Sequence, residues 1–206
     1  MTNPDLKNDS LKNHSLANHS LVDHSLVNHS LKGEFLVSMP ALNGDYFKDT
    51  VTFLIEHNEE GAFGLVINKP VAIALADIIP QLEESYCNVS VLEGGPVEQD
   101  RIFFLHTPEK QYEASLLINP EISLTTSPDL IADLVQGDSP EKIIAIVGYA
   151  GWGGAQLEEE IISDAWLVAP FDSGILFSND HAQKPQQAAS KMGIDINLIG
   201  PTTGHG

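Results

Sequence analysis

The chain has 206 residues, of which 42% are hydrophobic, enough for one globular domain with a sizeable core. It carries 29 acidic and 10 basic residues, a formal net charge of −19, and Arg101 is its one arginine. Because nucleic-acid-binding proteins neutralise phosphates with clustered Lys and Arg, this charge argues against a DNA- or RNA-binding function.

Residues 6–30 form a tandem repeat with a period of five, each copy opening on a leucine and closing on a serine. Leucines spaced by five residues make no stripe on an α-helix and alternate between the two faces of a strand, so neither element buries them. We therefore predict a disordered repeat tail over residues 1–33 and a folded domain over residues 34–206.

The folded part begins with short apolar runs of strand length, each bounded by Gly, Pro, Asn or Asp. These runs are Val51–Ile55, Gly64–Ile67, Val89–Leu92, Ile102–Leu105, Ser115–Ile118, Ile143–Val147, Trp166–Val168 and Ile175–Phe177. Many strands with interspersed helices predict an α+β or mixed α/β domain.

Three segments have helical patterns, and a fourth is weakened by Pro80. The fourth is Ala74–Glu84; the other three run from Ser127 to Gly137, from Gln156 to Ile162 and from Pro185 to Met192. Ser127 followed by Pro128 is a typical helix start, and Gly137 is a typical stop.

The most informative segment is Gly148–Glu158, which places four glycines around Trp152. It follows the apolar run Ile143–Val147, so we predict a buried strand that ends in a glycine-rich turn and then a helix. In such a turn, Trp152 either stacks on a ligand ring or packs as a lid on the core. The glycine spacing fits neither a Walker phosphate loop nor a dinucleotide-binding turn, and no nucleophile elbow is present.

Two histidines, His57 and His106, follow predicted strands, where sites on sheets are often built. If the two converge, they are candidates for a general acid and a general base. The alternative is that each binds turn backbone at the rim of the sheet. We favour the alternative because no nucleophile is paired with either histidine in the sequence.

Two further turns carry candidate anion-binding groups. At the end of an apolar strand, Lys69 is placed to receive an anion and Asn68 to cap a turn. Gly94-Gly95-Pro96, followed by Asp100-Arg101, predicts either backbone amides and a guanidinium around a carboxylate or phosphate, or a tight turn with a surface Asp–Arg pair. The sequence leaves both readings open.

Several motifs recur in one order along the chain: Leu36–Pro40, Glu56–Asn58, Gly61–Pro70, Gly94–Val97 with Asp100-Arg101, Leu105-His106, Gly148–Glu158, Asn179-Asp180 and Gly193–Asp195. In this order they resemble the YqgE/AlgH family of uncharacterised bacterial proteins. The resemblance implies a single α+β domain with a bent mixed β-sheet, pseudo-barrel-like, flanked by helices, and it implies no known reaction. The chain departs from the family pattern at residues 183–186, Gln-Lys-Pro-Gln, where members often carry an Arg-Trp pair.

Compartment and cofactors are constrained by what the sequence lacks. It has no secretory signal and no run of about 18 apolar residues, and its single cysteine, Cys87, fits a reducing environment. We therefore expect a cytoplasmic protein without membrane partners. No paired cysteines, zincin motif or EF-hand loop occurs, so we expect no metal and no cofactor.

We expect a non-enzymatic ligand- or protein-binding domain with a regulatory role, whose partner is an unknown small molecule or protein. The candidate ligand-binding residues are Trp152, Gly151, Gly153, Arg101, Gly95, Asn68, Lys69, His57 and His106. The alternative is an enzyme of unknown reaction using His57, His106 and Arg101, which requires these side chains to lie within ~8 Å in one cleft. A direct DNA-binding regulator is the third hypothesis, and the charge argues against it.

Overall fold

The computed structural model describes residues 29–42, 46–82, 84–86 and 89–199, in which strands and helices are interspersed. The strands are β1 Phe35–Ser38, β2 Val51–Asn58, β3 Gly61–Val66, β4 Pro70–Ala74, β5 Ser90–Glu93, β6 Val97–His106, β7 Ser115–Asn119, β8 Ile122–Thr125, β9 Ile143–Gly153 and β10 Trp166–Ala169. The helices are α1 Leu75–Ile78, α2 Pro128–Gln136, α3 Gln156–Ile162, α4 Ser173–Leu176 and α5 Lys184–Ser190.

The ten described strands form one mixed sheet, in which eight follow the order β10-β1-β2-β3-β9-β6-β8-β7. The other two lie off this path: β4 pairs with β5, and β5 pairs with β9. Along one edge of β9, β3 pairs with its second half and β5 pairs in parallel with Ala145–Val147, while β6 lies on the other edge. The sheet curls into a half-barrel. Phe53 of β2 and Leu124 of β8 belong to one buried cluster, although three strands lie between β2 and β8 in the order. The predicted α+β domain with a bent mixed sheet is confirmed.

The curl depends on a close backbone approach where β3 and β5 meet along β9. Gly94 N donates to Val147 O at 2.8 Å, and Val66 N donates to Gly94 O at 2.8 Å. A Cβ on Gly95 would lie 1.9 Å from the carbonyl carbon of Tyr149, and Gly148 has a φ of +71°. These glycines let one long strand carry two successive partners on the same edge.

Helices cover the outer faces of the half-barrel. On one side, Leu157 of α3 packs with Leu54 and Trp166. On another, Leu130 and Leu134 of α2 pack with Phe104 of β6. Burying each such side chain stabilises the fold by about 1.5–3 kcal/mol.

Most predicted elements are present, with informative exceptions. The helices α2, α3 and α5 are confirmed, and Gly137 ends α2 in a left-handed conformation with a φ of 77°. The predicted helix Ala74–Glu84 is reduced to α1, which stops before Pro80. The predicted strand Ile175–Phe177 is wrong: Asp172 caps a helical turn there by accepting from Ile175 N at 3.1 Å.

The glycine-rich segment also differs from its prediction. The strand does not end at Val147 but continues to Gly153, because Ala150–Gly153 pairs with Gly61–Gly64 of β3. A Cβ on Gly61 would lie 2.1 Å from the Trp152 carbonyl oxygen, so small residues are what allow these two strands to pair. The turn before α3 is confined to Gly154 and Ala155.

The repeat tail lies almost entirely outside the described residues, which begin at residue 29. Its last residues nevertheless contact the domain. Ser30 Oγ donates to His57 O at 2.8 Å, Leu31 N donates to His57 Nδ1 at 2.9 Å, and the Leu31 side chain packs on the cluster beneath α3. Packed contacts are therefore present four residues before the predicted domain boundary at residue 34.

Candidate functional site

Trp152 is a core residue. Its side chain is 7% exposed, stacked on Phe47 at a centroid distance of 6.2 Å and edge-on to Trp166 at 5.9 Å. Both indole N–H groups donate to Glu160 Oε2, at 2.9 Å from Trp152 and 2.7 Å from Trp166. Of the two alternatives for Trp152, the structure matches packing on the core, because other aromatic rings occupy its surroundings. Gly151 and Gly153 lie in the paired part of β9.

His57 is a structural residue in a bonded environment. Its ring accepts from Leu31 N through Nδ1, so Nε2 carries the proton and donates to Glu158 Oε1 at 3.1 Å. Both ring nitrogens are thus used to fasten the N-terminal segment and α3 to β2.

His106 is fully buried at the end of β6. Nδ1 donates to its neighbour's carbonyl, Thr107 O, at 2.8 Å, and Nε2 has no partner among the described residues. Burial lowers the pKa of His106, so the ring is neutral near pH 7.

The two histidines and Arg101 do not converge. His57 lies opposite Ala62, which pairs with Trp152, whereas His106 pairs with Ile143 nine residues earlier on β9. At about 3.3 Å per residue, the two histidines sit roughly 30 Å apart along that strand. Arg101 lies between them on β6, and it lines a cavity that neither histidine lines. The shared cleft that the enzyme hypothesis requires is absent.

Asn68 and Lys69 are engaged within the fold. Asn68 Oδ1 accepts from Val51 N at 2.8 Å, and its Nδ2 donates to Asp49 O at 2.9 Å. Lys69 Nζ lies 3.9 Å from the centroid of the Tyr46 ring and donates to the carbonyl of the same residue. These contacts fix the Asn68 turn and hold the Lys69 ammonium against Tyr46.

Gly95 is explained by the close approach to Tyr149, without any ligand. Arg101 forms an ion pair with Glu98, through Nη1 at 3.1 Å. The surface Asp–Arg pair that the sequence analysis offered as an alternative had Asp100 as the partner. The Arg101 side chain is 52% exposed. It also lines a cavity of about 380 Å³ bounded by residues of β2, β3, β6, β7, β8 and β9, which we name the barrel mouth.

A larger cavity of about 520 Å³, the Lys184 cavity, lies at the other end of β9. Its walls come from the starts of β4, β5 and β9 and from the segment between α4 and α5. The lining residues are Pro70, Val89, Ser90, Leu92, Ile143, Ile144, Phe177, Ser178, Asn179, His181 and Lys184. None of them is acidic, although acidic residues outnumber basic ones 29 to 10 in the chain.

Lys184 is the unusual member of this wall. It is 0% exposed, and its Nζ donates to Ile67 O at 2.9 Å and to Leu176 O at 2.8 Å. No carboxylate of the described residues pairs with it, and its third N–H has no acceptor there. Burial lowers the pKa of Lys184 to about 8. The ammonium therefore remains charged at pH 7 without a counter-charge.

His181 lies on the same wall. Its Nδ1 is buried and has no hydrogen-bond partner in the described structure. Burial lowers the pKa of His181 and the Lys184 charge lowers it further, while a backbone hydrogen bond to Ile67 and the Asp180 charge act in the opposite direction. The cavity thus holds two polar groups with unfilled hydrogen-bonding capacity, one of them a cation.

Comparison with known proteins assigns the fold to a family. The model of the AlgH-like family matches residues 35–197. The chain belongs to this family. A UPF0301 protein of Pseudoalteromonas translucida is 39% identical over 180 residues, covering 84% of this chain and 97% of the relative. A UPF0301 protein of Hahella chejuensis is 38% identical over 176 residues, with 84% and 95% covered.

Solved structures agree with this assignment. The solution structure of the AlgH protein from Pseudomonas aeruginosa superposes with a TM-score of 0.72 at 37% identity, covering 87% of this chain and 97% of that one. A crystal structure of a Corynebacterium diphtheriae protein superposes with a TM-score of 0.68 at 17% identity, covering 88% and 100%, and shares the fold alone. The resemblance to the YqgE/AlgH family is confirmed, and the family is uncharacterised.

Sequence reasoning on this AlgH-like domain missed the residues of the larger cavity. Asn179 appeared in a family motif, and Lys184 lay in the stretch that departs from the family's Arg-Trp pair, but neither was a candidate. A lysine beside Pro185 at the start of a helix is an ordinary surface pattern. Its burial depends on Ile67, which is 117 residues away in the chain.

Proposed function

We propose that this chain is a non-enzymatic binding domain that holds a small oxyanion, a carboxylate or a phosphate, in the Lys184 cavity. The observation that carries the proposal is the Lys184 ammonium, fully buried and without a carboxylate partner among the described residues. An unpaired buried charge is costly, and an anion bound in the adjoining cavity would supply a counter-charge.

The walls of the cavity support this ligand class. Their side chains include Ser178, Asn179 and His181 as further hydrogen-bonding groups and no carboxylate to repel an anion. The volume of about 520 Å³ is that of a small-molecule site. Elsewhere the net charge of −19 repels anions, so this cavity differs in character from the average surface.

Within this proposal the protein is cytoplasmic and regulatory, and the domain comprises residues 34–206 behind a repeat tail. No helix in the described ranges is both long and apolar enough to cross a bilayer. The separation of His57, His106 and Arg101 speaks against the enzyme that would have used them. The absence of a Lys/Arg cluster speaks against direct DNA binding.

The experiment is a titration of the full chain with acetate, glycolate and inorganic phosphate at constant ionic strength, followed by calorimetry and thermal unfolding. We expect saturable binding to the native chain and at least a tenfold weaker Kd in Lys184→Met. The matched control is Lys48→Met, which removes the same charge at an exposed position and should leave the Kd unchanged.

Two results would count against the proposal. Equal Kd values for the native chain and a folded Lys184→Met would place the anion elsewhere, and no saturable binding of any of the three anions would remove the function. If Lys184→Met does not fold, the pH dependence of anion binding by the native chain gives the same test, because binding must weaken as Lys184 loses its proton above pH 8.

A further inference from the structure

The barrel mouth has an aromatic floor at the end of the half-barrel away from Lys184. Phe63, Phe103 and Tyr149 contact one another there, with ring centroids 4.9–6.1 Å apart. Tyr149 lies five residues beyond Ile144 on β9, about 16 Å along the strand from the wall of the Lys184 cavity. The mouth is thus a second concave site, at the kind of position where barrels commonly hold ligands.

The two charged side chains that line the mouth have opposite signs and stand on opposite sides of the floor. Glu56 lies on β2, paired with Phe63 of β3, and Arg101 lies on β6 with its guanidinium carbon 5.1 Å from the centroid of the Phe103 ring. Since the strand order is β2-β3-β9-β6, the aromatic floor separates the carboxylate from the guanidinium.

The spacing of the charges restricts what can bridge them. Glu56 aligns through Phe63 with Gly151 of β9, whereas Arg101 directly precedes Ile102, which pairs with Val147. Three inter-strand steps of about 4.8 Å, with an offset of about three residues along β9, put the two backbones roughly 17 Å apart. Both side chains line the same cavity, and their lengths leave several ångströms between the charged groups. That gap exceeds the separation of the charges in a single α-amino acid and matches an extended chain of two or three residues.

We propose that the barrel mouth binds a short apolar peptide with free termini, of two or three residues. Its ammonium end pairs with Glu56, its carboxylate end pairs with Arg101 and its side chains lie on the rings of Phe63 and Tyr149. Glu56 has no ion pair in the described structure, and Arg101 has only the exposed partner Glu98, so both are available. A planar guanidinium is well suited to a terminal carboxylate.

The test is calorimetric titration of the full chain with the dipeptide Leu-Phe, its N-acetyl form and its C-terminal amide. Each blocked form should bind about fivefold more weakly than the free dipeptide, the effect of losing one partly exposed ion pair. Glu56→Gln should bind the free and N-acetylated dipeptides with equal Kd, because the partner of the ammonium is already absent. Arg101→Gln should likewise bind the free dipeptide and its C-terminal amide with equal Kd.

Two matched variants sharpen the result. Glu98→Gln frees Arg101 from its internal partner and should tighten binding, whereas Glu59→Gln removes an acid that does not line the mouth and should change nothing. Lys184→Met should leave peptide binding intact, so the failure of one site is distinguishable from the failure of the other. Absence of saturable binding at millimolar dipeptide would overturn the proposal. So would an equal loss of affinity on blocking either terminus in the native chain and in the Glu56→Gln and Arg101→Gln variants.

Discussion

The Lys184 cavity and the barrel mouth each set one cation beside apolar walls, but the surroundings of the two cations differ. Lys184 is fully buried, donates only to backbone carbonyls and has a pKa lowered to about 8. The Arg101 side chain is 52% exposed and already has Glu98 as a partner. Solvent stabilises the charge of Arg101, whereas among the described residues the charge of Lys184 is stabilised only by two backbone carbonyls. Strong coupling between ligand and protonation is therefore expected only at the buried site.

The largest effect should be a rise in the free energy of unfolding above pH 8, contributed by Lys184. The folded pKa of about 8 lies below the ordinary value of 10.5, so the unfolded state binds more protons between these two values. Stability should increase across that window by about 3 kcal/mol in the native chain relative to Lys184→Met. Denaturant unfolding of both chains at pH 7.5, 9 and 10.5 measures the difference. If the free energies of unfolding of the native chain and of Lys184→Met change in parallel with pH, the charged form of Lys184 does not destabilise the folded state.

The next effect concerns the mouth end, where residues 30–32 contact β2 and β7. Deleting residues 1–31 removes the packing of Leu31 and leaves Nδ1 of His57 unpaired. We expect a loss of about 2 kcal/mol, or roughly 5 °C in Tm. Deleting residues 1–25 is the control and should leave the Tm unchanged. Equal Tm values for the two deletions would show that the contacts of Ser30 and Leu31 add nothing to stability.

A smaller effect is expected on anion affinity. Acetate keeps its charge above pH 6, so only the protein changes protonation in that range. As Lys184 loses its proton, the Kd for acetate should rise about tenfold per pH unit above pH 8. Calorimetry at pH 7, 8.5 and 9.5 tests this, and a Kd that is constant over this range would mean that the lysine does not hold the anion.

The smallest effect should come from Arg101. Because its pair with Glu98 is exposed, Arg101→Gln should change the free energy of unfolding by less than about 0.5 kcal/mol, at any pH from 7 to 10. A loss of 2 kcal/mol or more would mean that the two ends of the half-barrel are alike in how they hold their cations.

Local signals explain what could be predicted from the sequence. The helix α2 has Pro128 at its start and Gly137 at its end, and both act within one turn of chain. The strand β8 was missed because Ile122–Thr125 is short and mixes polar with apolar residues, although all four are buried. Ile175 was misassigned because its apolar run of three fits a strand or a helix until the Asp172 cap is seen.

The candidate site shows more clearly what could not be predicted from the sequence. Arg101 could be singled out because it is the one arginine in an acidic chain. Lys184 could not, because its burial arises from Ile67 and Leu176, which the fold brings together around α5. Trp152 was chosen as a candidate ligand-binding residue for the same reason, since the rings of Phe47 and Trp166 that cover it belong to other segments of the chain.

The most direct test of the oxyanion site is the protonation state of Lys184 itself. The carbon shift of its side chain can be followed by NMR in the full chain with labelled lysine, assigned by comparison with Lys184→Met, over pH 6 to 11. The account predicts a pKa near 8 in the free protein and a higher pKa in saturating acetate or phosphate, because a bound anion stabilises the ammonium. An ordinary pKa near 10.5 that does not respond to either anion would contradict it.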